Sequence, residues 1–307
     1  MKGKIIILKN DGTIDDQHAG ILSKLCSILT LIKFSHTIFS LPFAIMSAFL
    51  AASGLPTLRQ ILLIICALIL ARSCAMTFNR LVDAKYDIHN PRTAYRIKLQ
   101  NFVGKPTLWI FTIICALLFV ACAAGLNRLS LLVSPIALII IFGYSYTKRF
   151  TNLSHFVLGL GLAFSPIGAW VGIRGKFEIA PFVLALGVLL WTAGFDIIYS
   201  CQDVQHDIKA KLHSIPQWLG IKTSLKLASF LHFLMLLVLF SFAFFTELGS
   251  IYSIAVFFVG IMLFYEHSLI KPTDLSKINL AFFTVNGLIS IFLMVITIVD
   301  ICIPFTQ

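Results

Sequence analysis

Charge is scarce in this chain. Only 12% of its residues are Asp, Glu, Lys or Arg, about half the share of an ordinary soluble domain, which excludes a water-facing globule. Acidic side chains are the scarcer kind, 13 against 24 Lys and Arg. No Cys-x-x-Cys pair occurs among the 7 cysteines (Cys26, Cys66, Cys74, Cys115, Cys122, Cys201, Cys302), so neither a disulfide framework nor a zinc site is indicated. Scattered through apolar stretches, they serve as small fillers. Alternating strand patterns are missing, and the apolar runs are too long for barrel strands, which excludes a transmembrane β-barrel. The run Ile5 to Leu8 is too short for a signal-peptide core, and Asp11, Asp15 and Asp16 argue against a transit peptide. Residues 1–24 therefore read as a short cytoplasmic tail, and 25–307 as a single membrane domain.

What is present is apolar length. Hydrophobic residues make up 59% of the 307 and the mean hydropathy is +0.95. A helical span needs roughly 20 mostly apolar residues. Nine stretches qualify: about 35–53, 58–78, 107–126, 129–147, 155–173, 181–201, 224–246, 250–269 and 279–299. The expected fold is an all-α integral membrane bundle of nine transmembrane helices. Net charge of +11 would suit nucleic acid, but its placement argues otherwise. With a cytoplasmic amino terminus, Arg59, Arg128, Arg174 and Lys176 fall outside and Arg72 within a span. The other Lys and Arg lie on the cytoplasmic side, as the positive-inside bias requires.

Two connections are long, 79–106 and 202–223, and both follow even-numbered spans. "NRLVDAKYD" opens the first and "DIIYSCQDVQHD" leads into the second. Asp203 and Asp207 repeat Asp83 and Asp87 at one constant offset of 120 residues. This weak internal repeat predicts two four-helix units plus a ninth helix, with a shared site where the units meet. On a helix, Asn79, Asp83 and Asp87 drift only about 80° over roughly 12 Å, forming one polar stripe. Asp196, Asp203 and Asp207 form another. Acids so close repel one another, and a divalent cation removes the conflict. Carboxylate and amide oxygens suit Mg²⁺, which also bridges to phosphates. Arg80, Arg92, Lys148, Arg149, Lys209 and Lys211 stand nearby in sequence, a balance that fits a metal-held diphosphate acting as leaving group.

The two acidic motifs, together with "YSYTK" at 144–148, resemble those of the UbiA superfamily of intramembrane aromatic prenyltransferases, over about residues 25–300. The overall texture resembles the bacterial 4-hydroxybenzoate polyprenyltransferase group. The resemblance implies that Asn79, Asp83 and Asp87 hold one Mg²⁺ and Asp203 and Asp207 a second, with Asp196 deeper on the same face. Asp83, Asp87, Asp203 and Asp207 would be the catalytic acids. Lys148, Arg149, Lys209 and Arg92 would neutralise a polyprenyl diphosphate. Its loss gives an allylic cation that an electron-rich ring attacks, in quinone biosynthesis at the inner membrane with the site facing the cytoplasm. The prenyl tail would leave sideways into the lipid bilayer; nucleic acid is no partner.

Arg72 lies two turns before Asn79, about 10 Å deeper. A buried guanidinium wants a planar anion. Two partners are open: Asp196 in a structural ion pair, or the carboxylate of an aromatic acid acceptor. Asp196, Tyr199, His36 and Lys33 are further acceptor-side candidates; Lys33 competes as a snorkelling lysine, His36 as a satisfied interface histidine, and Tyr199 as a diphosphate contact or a packing ring. A few of the 28 phenylalanines would line the cation path. His206, His213 and His232 show no ligand spacing. The resemblance implies 4-hydroxybenzoate as acceptor, with a dihydroxynaphthoate of menaquinone biosynthesis as the alternative, and both would suit Arg72. A secondary transporter is the competing class, against which the carboxylates sit at one membrane face.

Overall fold

The computed structural model describes residues 20–302; most of the expected cytoplasmic tail lies outside them. Among the described residues nine helical segments are long and apolar enough to cross a membrane. A short helix α1 (Ile21–Leu31) precedes them. The first crossing is a 3₁₀ turn (Phe34–Phe39) running into α2 (Leu41–Ala52). Then follow α3 (Leu58–Asp87), a loop helix α4 (Tyr95–Val103), α5 (Lys105–Leu126) and α6 (Arg128–Thr147). The second unit repeats the plan: α7 (Ser154–Arg174), α8 (Ile179–Ser200), loop helices α9 (Val204–Ala210) and α10 (Ile215–Leu219), α11 (Ile221–Phe242) and α12 (Ser250–Ser268). A π-turn (Leu280–Val285) leads into α13 (Asn286–Cys302).

The length of α3 positions the site. Its start is fixed by a capping box, in which the Thr57 side chain accepts from the Gln60 N–H and Gln60 reaches back. At 30 residues it spans about 45 Å, against about 30 Å for a bilayer core. The surplus carries Asn79, Asp83 and Asp87 beyond the apolar zone. The first acidic motif therefore sits on a continuous helix, where the sequence had suggested a loop from residue 79. In the second unit α8 passes through one 3₁₀ turn (Cys201–Asp203) into α9, which projects Asp203 and Asp207 in the same way.

The units are joined chiefly by α2 against α7, while α7 packs on α8 and α8 on α11. Close approach of α7 and α8 depends on Gly159, where a Cβ would stand 2.7 Å from the backbone oxygen of Leu189. The main core gathers Phe39, Phe43, Trp191, Phe195, Phe242 and Tyr252. Many other large apolar side chains, such as Leu117, Ile139, Phe257 and Phe264, face outward, as a lipid-facing surface requires.

Candidate active site

Both acidic motifs come together at one end of the bundle. Arg92, from the turn after α3, donates Nε to Asp203 Oδ1 at 3.0 Å and Nη2 to Oδ2 at 2.5 Å, and Nη1 to the Tyr199 hydroxyl at 3.0 Å. Asn90 Nδ2 adds a bond to Asp203 at 3.2 Å. The first unit's loop thus grips the second unit's acid. Burial pushes the Arg92 guanidinium down, but its bond to Asp203 outweighs that and holds it above its ordinary range.

The remaining carboxylates have partners of their own. Asn79 donates to Asp83 Oδ2 at 2.7 Å, and Arg149 lies 3.5 Å from Asp83 Oδ1. Arg96 of α4 pairs with Asp87 at 3.1 Å. The neutral oxygen read at Asn79 accepts from Arg80 at 2.9 Å, and Arg80 also donates to the Leu31 carbonyl. Arg80 is therefore tied to α1 as well as to the motif. Lys148, just past α6, lies within electrostatic reach of both motifs. Burial would lower its ammonium, but Asp207, Asp196, Asp203 and Asp83 together raise it above its ordinary range. Lys209 is exposed on α9.

Asp196 settles one open question. It pairs with His155 at 2.7 Å from Nδ1, not with Arg72. His155 is wholly buried, and its Nε2 accepts the Ile215 N–H at 3.3 Å. That bond places the proton on Nδ1, donating to Asp196. No local pattern announced His155; it opens α7 among apolar neighbours and meets Asp196 from 41 residues away. The same loop is fastened again where His213 N–H meets the Lys148 carbonyl at 2.7 Å. His232 also has definite partners, bonding His267 at 2.9 Å and the Trp191 carbonyl at 3.2 Å.

Two cavities meet this region, and they divide the acceptor-side candidates. One, of about 190 Å³, runs among α2, α3, α5, α6 and α7. Its walls are mostly small and apolar, including Ala67, Ala71, Ala137 and Gly161, with Arg72, Asn79 and Tyr144 toward the acidic end. The Arg72 Nε is buried there without a hydrogen-bond partner. The second is an open cleft lined by Lys33, His36, Tyr95, Tyr199, Phe282 and Phe283. Arg72 and the pair His36 and Tyr199 thus line different spaces.

The donor set suits Mg²⁺ in chemistry: four carboxylates and one amide, all oxygen donors. Asp207 Oδ2 is buried with no partner, the kind of atom an ion would satisfy. Among the described residues no three His, Cys, Asp or Glu side chains stand close enough to enclose an ion unaided. Mg²⁺ seldom needs such a cage, since it keeps waters and shares substrate phosphates.

The model of the UbiA prenyltransferase family matches residues 40–288, and the chain belongs to that family. It is a membrane prenyltransferase, and the competing transporter reading is overturned. A 4-hydroxybenzoate octaprenyltransferase from Histophilus somni is 27% identical over 241 residues, covering 78% of this chain and 83% of its own. One from Neisseria gonorrhoeae is 30% identical over 175 residues, covering 57% and 56%. A UbiA homolog from Aeropyrum pernix superposes with a TM-score of 0.78 at 30% identity, over 86% of this chain and 98% of that one. A UbiA homolog from Archaeoglobus fulgidus bound to GPP and Mg²⁺ gives 0.73 at 20% identity, over 90% and 100%.

Proposed function

We propose that the protein transfers a polyprenyl group from its diphosphate to the ring of 4-hydroxybenzoate, with Mg²⁺, at the cytoplasmic face of the membrane. The observation that carries this is the meeting of the two acidic motifs, with Asp203 held by Arg92 and Asn90 from the turn after α3, beside a cavity lined by Arg72, whose Nε is buried without a hydrogen-bond partner. The 4-hydroxybenzoate octaprenyltransferases among the relatives support that acceptor. Concentration of basic residues on the side of the two long connections supports the orientation.

Asn79, Asp83 and Asp87 would hold one ion and Asp203 and Asp207 the other, and the ions supply charge neutralisation to the departing diphosphate. Lys148 and Arg149 face the same anion, with Lys209 at the rim. Asp203 can serve an ion only when Arg92 gives up its bidentate hold, and a phosphate offers that guanidinium an equally good partner. Arg72 takes the acceptor carboxylate, which turns the phenol end of the ring toward the reacting carbon. The C–O bond to diphosphate breaks with its electron pair leaving on oxygen. The ring attacks the allylic carbon and then loses a proton. Asp196, oriented by His155, is a carboxylate without an arginine partner and suits that proton. Loops carrying Asn90, Arg92 and His213 exclude water that would quench the cation. The open cleft gives the tail its route into lipid.

The test uses purified protein, Mg²⁺, a prenyl diphosphate, and 4-hydroxybenzoate and dihydroxynaphthoates offered side by side. Prenylated 4-hydroxybenzoate as the main product, abolished in Asp83→Ala, is expected. A preference for the bicyclic acids moves the enzyme to menaquinone synthesis. Turnover unaffected by Asp83→Ala would remove the metal assignment.

A further inference from the structure

Helix α7 carries the glycines Gly159, Gly161, Gly168 and Gly172. Glycine weakens a helix interior relative to alanine, so each calls for a reason. Two have theirs in packing. A Cβ at Gly159 would stand 2.7 Å from the Leu189 carbonyl oxygen, and one at Gly172 would stand 2.9 Å from Leu126 Cδ1. Neither lines the cavity that holds Arg72, whereas Gly161 and Gly168 both do. A Cβ at Gly161 would meet only Ile141 Cγ2, at 3.7 Å, and one at Gly168 would meet nothing within 4 Å. Both lie in regular right-handed helix, so no backbone conformation demands glycine there. What their bare backbone provides is volume in the cavity.

Depth separates the two. His155, bonded to Asp196, marks the acidic end on α7, and Asn79, bonded to Asp83, marks it on α3. Gly161 lies about 9 Å along α7 from His155, and Arg72 about 10 Å along α3 from Asn79. The two therefore stand at similar depth, with Gly168 about 10 Å deeper still. At this depth the Arg72 Nε is buried without a partner, which calls for an anion. An acid whose carboxylate meets that guanidinium, with its ring pointing back toward Asn79 and Tyr144, runs past Gly161. Gly168 is left behind the carboxylate. Beside Arg72 the α3 wall is narrow as well, formed by Ala71 and Ala75. Ile141 of α6 is the side chain that closes on Gly161.

We propose that Gly161 determines the size of acceptor ring the protein takes: lacking a side chain, it leaves width beside the first ring for a second, fused one. The proposal deepens the acceptor reading above and rests on it. A benzoate and a naphthoate share the same anchor, so Arg72 cannot separate them. The wall beside the ring can, because one methylene's volume in an apolar pocket changes selectivity by about 10- to 200-fold. Gly161 shapes the pocket and takes no part in bond making.

The experiment measures kcat/KM for 4-hydroxybenzoate and for a dihydroxynaphthoate in the full-length protein, with Mg²⁺ and one prenyl diphosphate. Gly161→Ala, whose methyl displaces no neighbour, should lower the bicyclic-to-monocyclic ratio about tenfold or more, with donor KM within about twofold. Gly161→Val should lower turnover of 4-hydroxybenzoate as well. Gly168→Ala, the same change two turns deeper, should leave the ratio within about twofold of the parent. Ile141→Ala widens the pocket at the same place and should raise the ratio; added to Gly161→Ala it should restore most of what was lost. A parent-like ratio in Gly161→Ala, an equal fall in Gly168→Ala, a rise in donor KM, or a parent inactive on the bicyclic acid would overturn the proposal. Ile141→Ala alone decides the matter if Gly161→Ala fails to fold, an unchanged ratio there counting against it. Where the parent takes only the bicyclic acid, the fall in that kcat/KM is the readout. A parent that prenylates no aromatic acid ends the acceptor reading, and this proposal with it, before any variant is made.

Discussion

At the scale of single residues, the predictions fall on two cations, Arg72 in the closed cavity and Lys33 in the open cleft. Arg72 should act on the acceptor alone. Arg72→Ala is expected to raise the acceptor KM about tenfold or more, the worth of a charged hydrogen-bonded pair, with the donor KM unchanged. An equal rise in both constants would place Arg72 on the diphosphate. Lys33, at the junction of α1 and the first 3₁₀ turn, has its ammonium lowered to about 8 by burial and then by Arg96, Arg80 and Arg92. Because the folded value lies below the unfolded one, the unfolded chain binds more protons between about pH 8 and the ordinary lysine value. Stability from this group therefore rises with pH across that window. Anion binding moves the other way: Lys33 lines the cleft given above to the donor's tail and lies within electrostatic reach of Arg92, so donor affinity should fall as pH passes 8 and Lys33 loses its charge. Titration of donor Kd against pH in the parent and in Lys33→Arg checks this, since the arginine should flatten the step. His155 marks the limit of residue-level reading from sequence. Its partner is set by how α7 meets α8, and nothing in the flanking residues encodes that distance.

Elements were more legible than their ends. Apolar length announced the nine crossings, because lipid imposes one requirement on every span. The end of α3 was harder to place. Polar residues from Asn79 onward look like a loop when hydropathy is the only guide, yet the backbone stays helical to Asp87. There, pairing by Arg149 and Arg96 offsets the polarity. The π-turn was invisible for a related reason, being stabilised by Asn286, Glu266 and Trp191 from three helices. At Gly159 the expected consequence is direct. A methyl group pushed against the Leu189 backbone has no flexible neighbour to displace. Gly159→Ala should cost about 1–3 kcal/mol, read as a lower thermal midpoint in detergent. A midpoint equal to the parent's would mean that α7 and α8 can slide apart freely.

For the molecule as a whole, repetition was the informative signal. The constant offset between Asp83 and Asp203 pointed to two matching units, and the Arg92–Asp203 bridge links them. The division of acceptor-side residues between two cavities could not be foreseen, since it depends on which helices leave space between them. Metal binding should also be a property of the whole assembly. With no three acids close enough to cage an ion among the described residues, Mg²⁺ alone should raise the thermal midpoint little. Mg²⁺ and a prenyl diphosphate together should raise it by several degrees, through linked binding. Chelation should abolish turnover while circular dichroism stays unchanged. A large midpoint gain from Mg²⁺ alone would point to a preformed ion cage.

The strap from Lys211 to Ile215 is pinned at both the Lys148 carbonyl and His155. An oily product slipping sideways between helices never has to cross it. On the proposed reading inorganic pyrophosphate, small and hydrophilic, would. The roof would then stay shut over the reacting carbon for most of each cycle and loosen only for its smallest passenger.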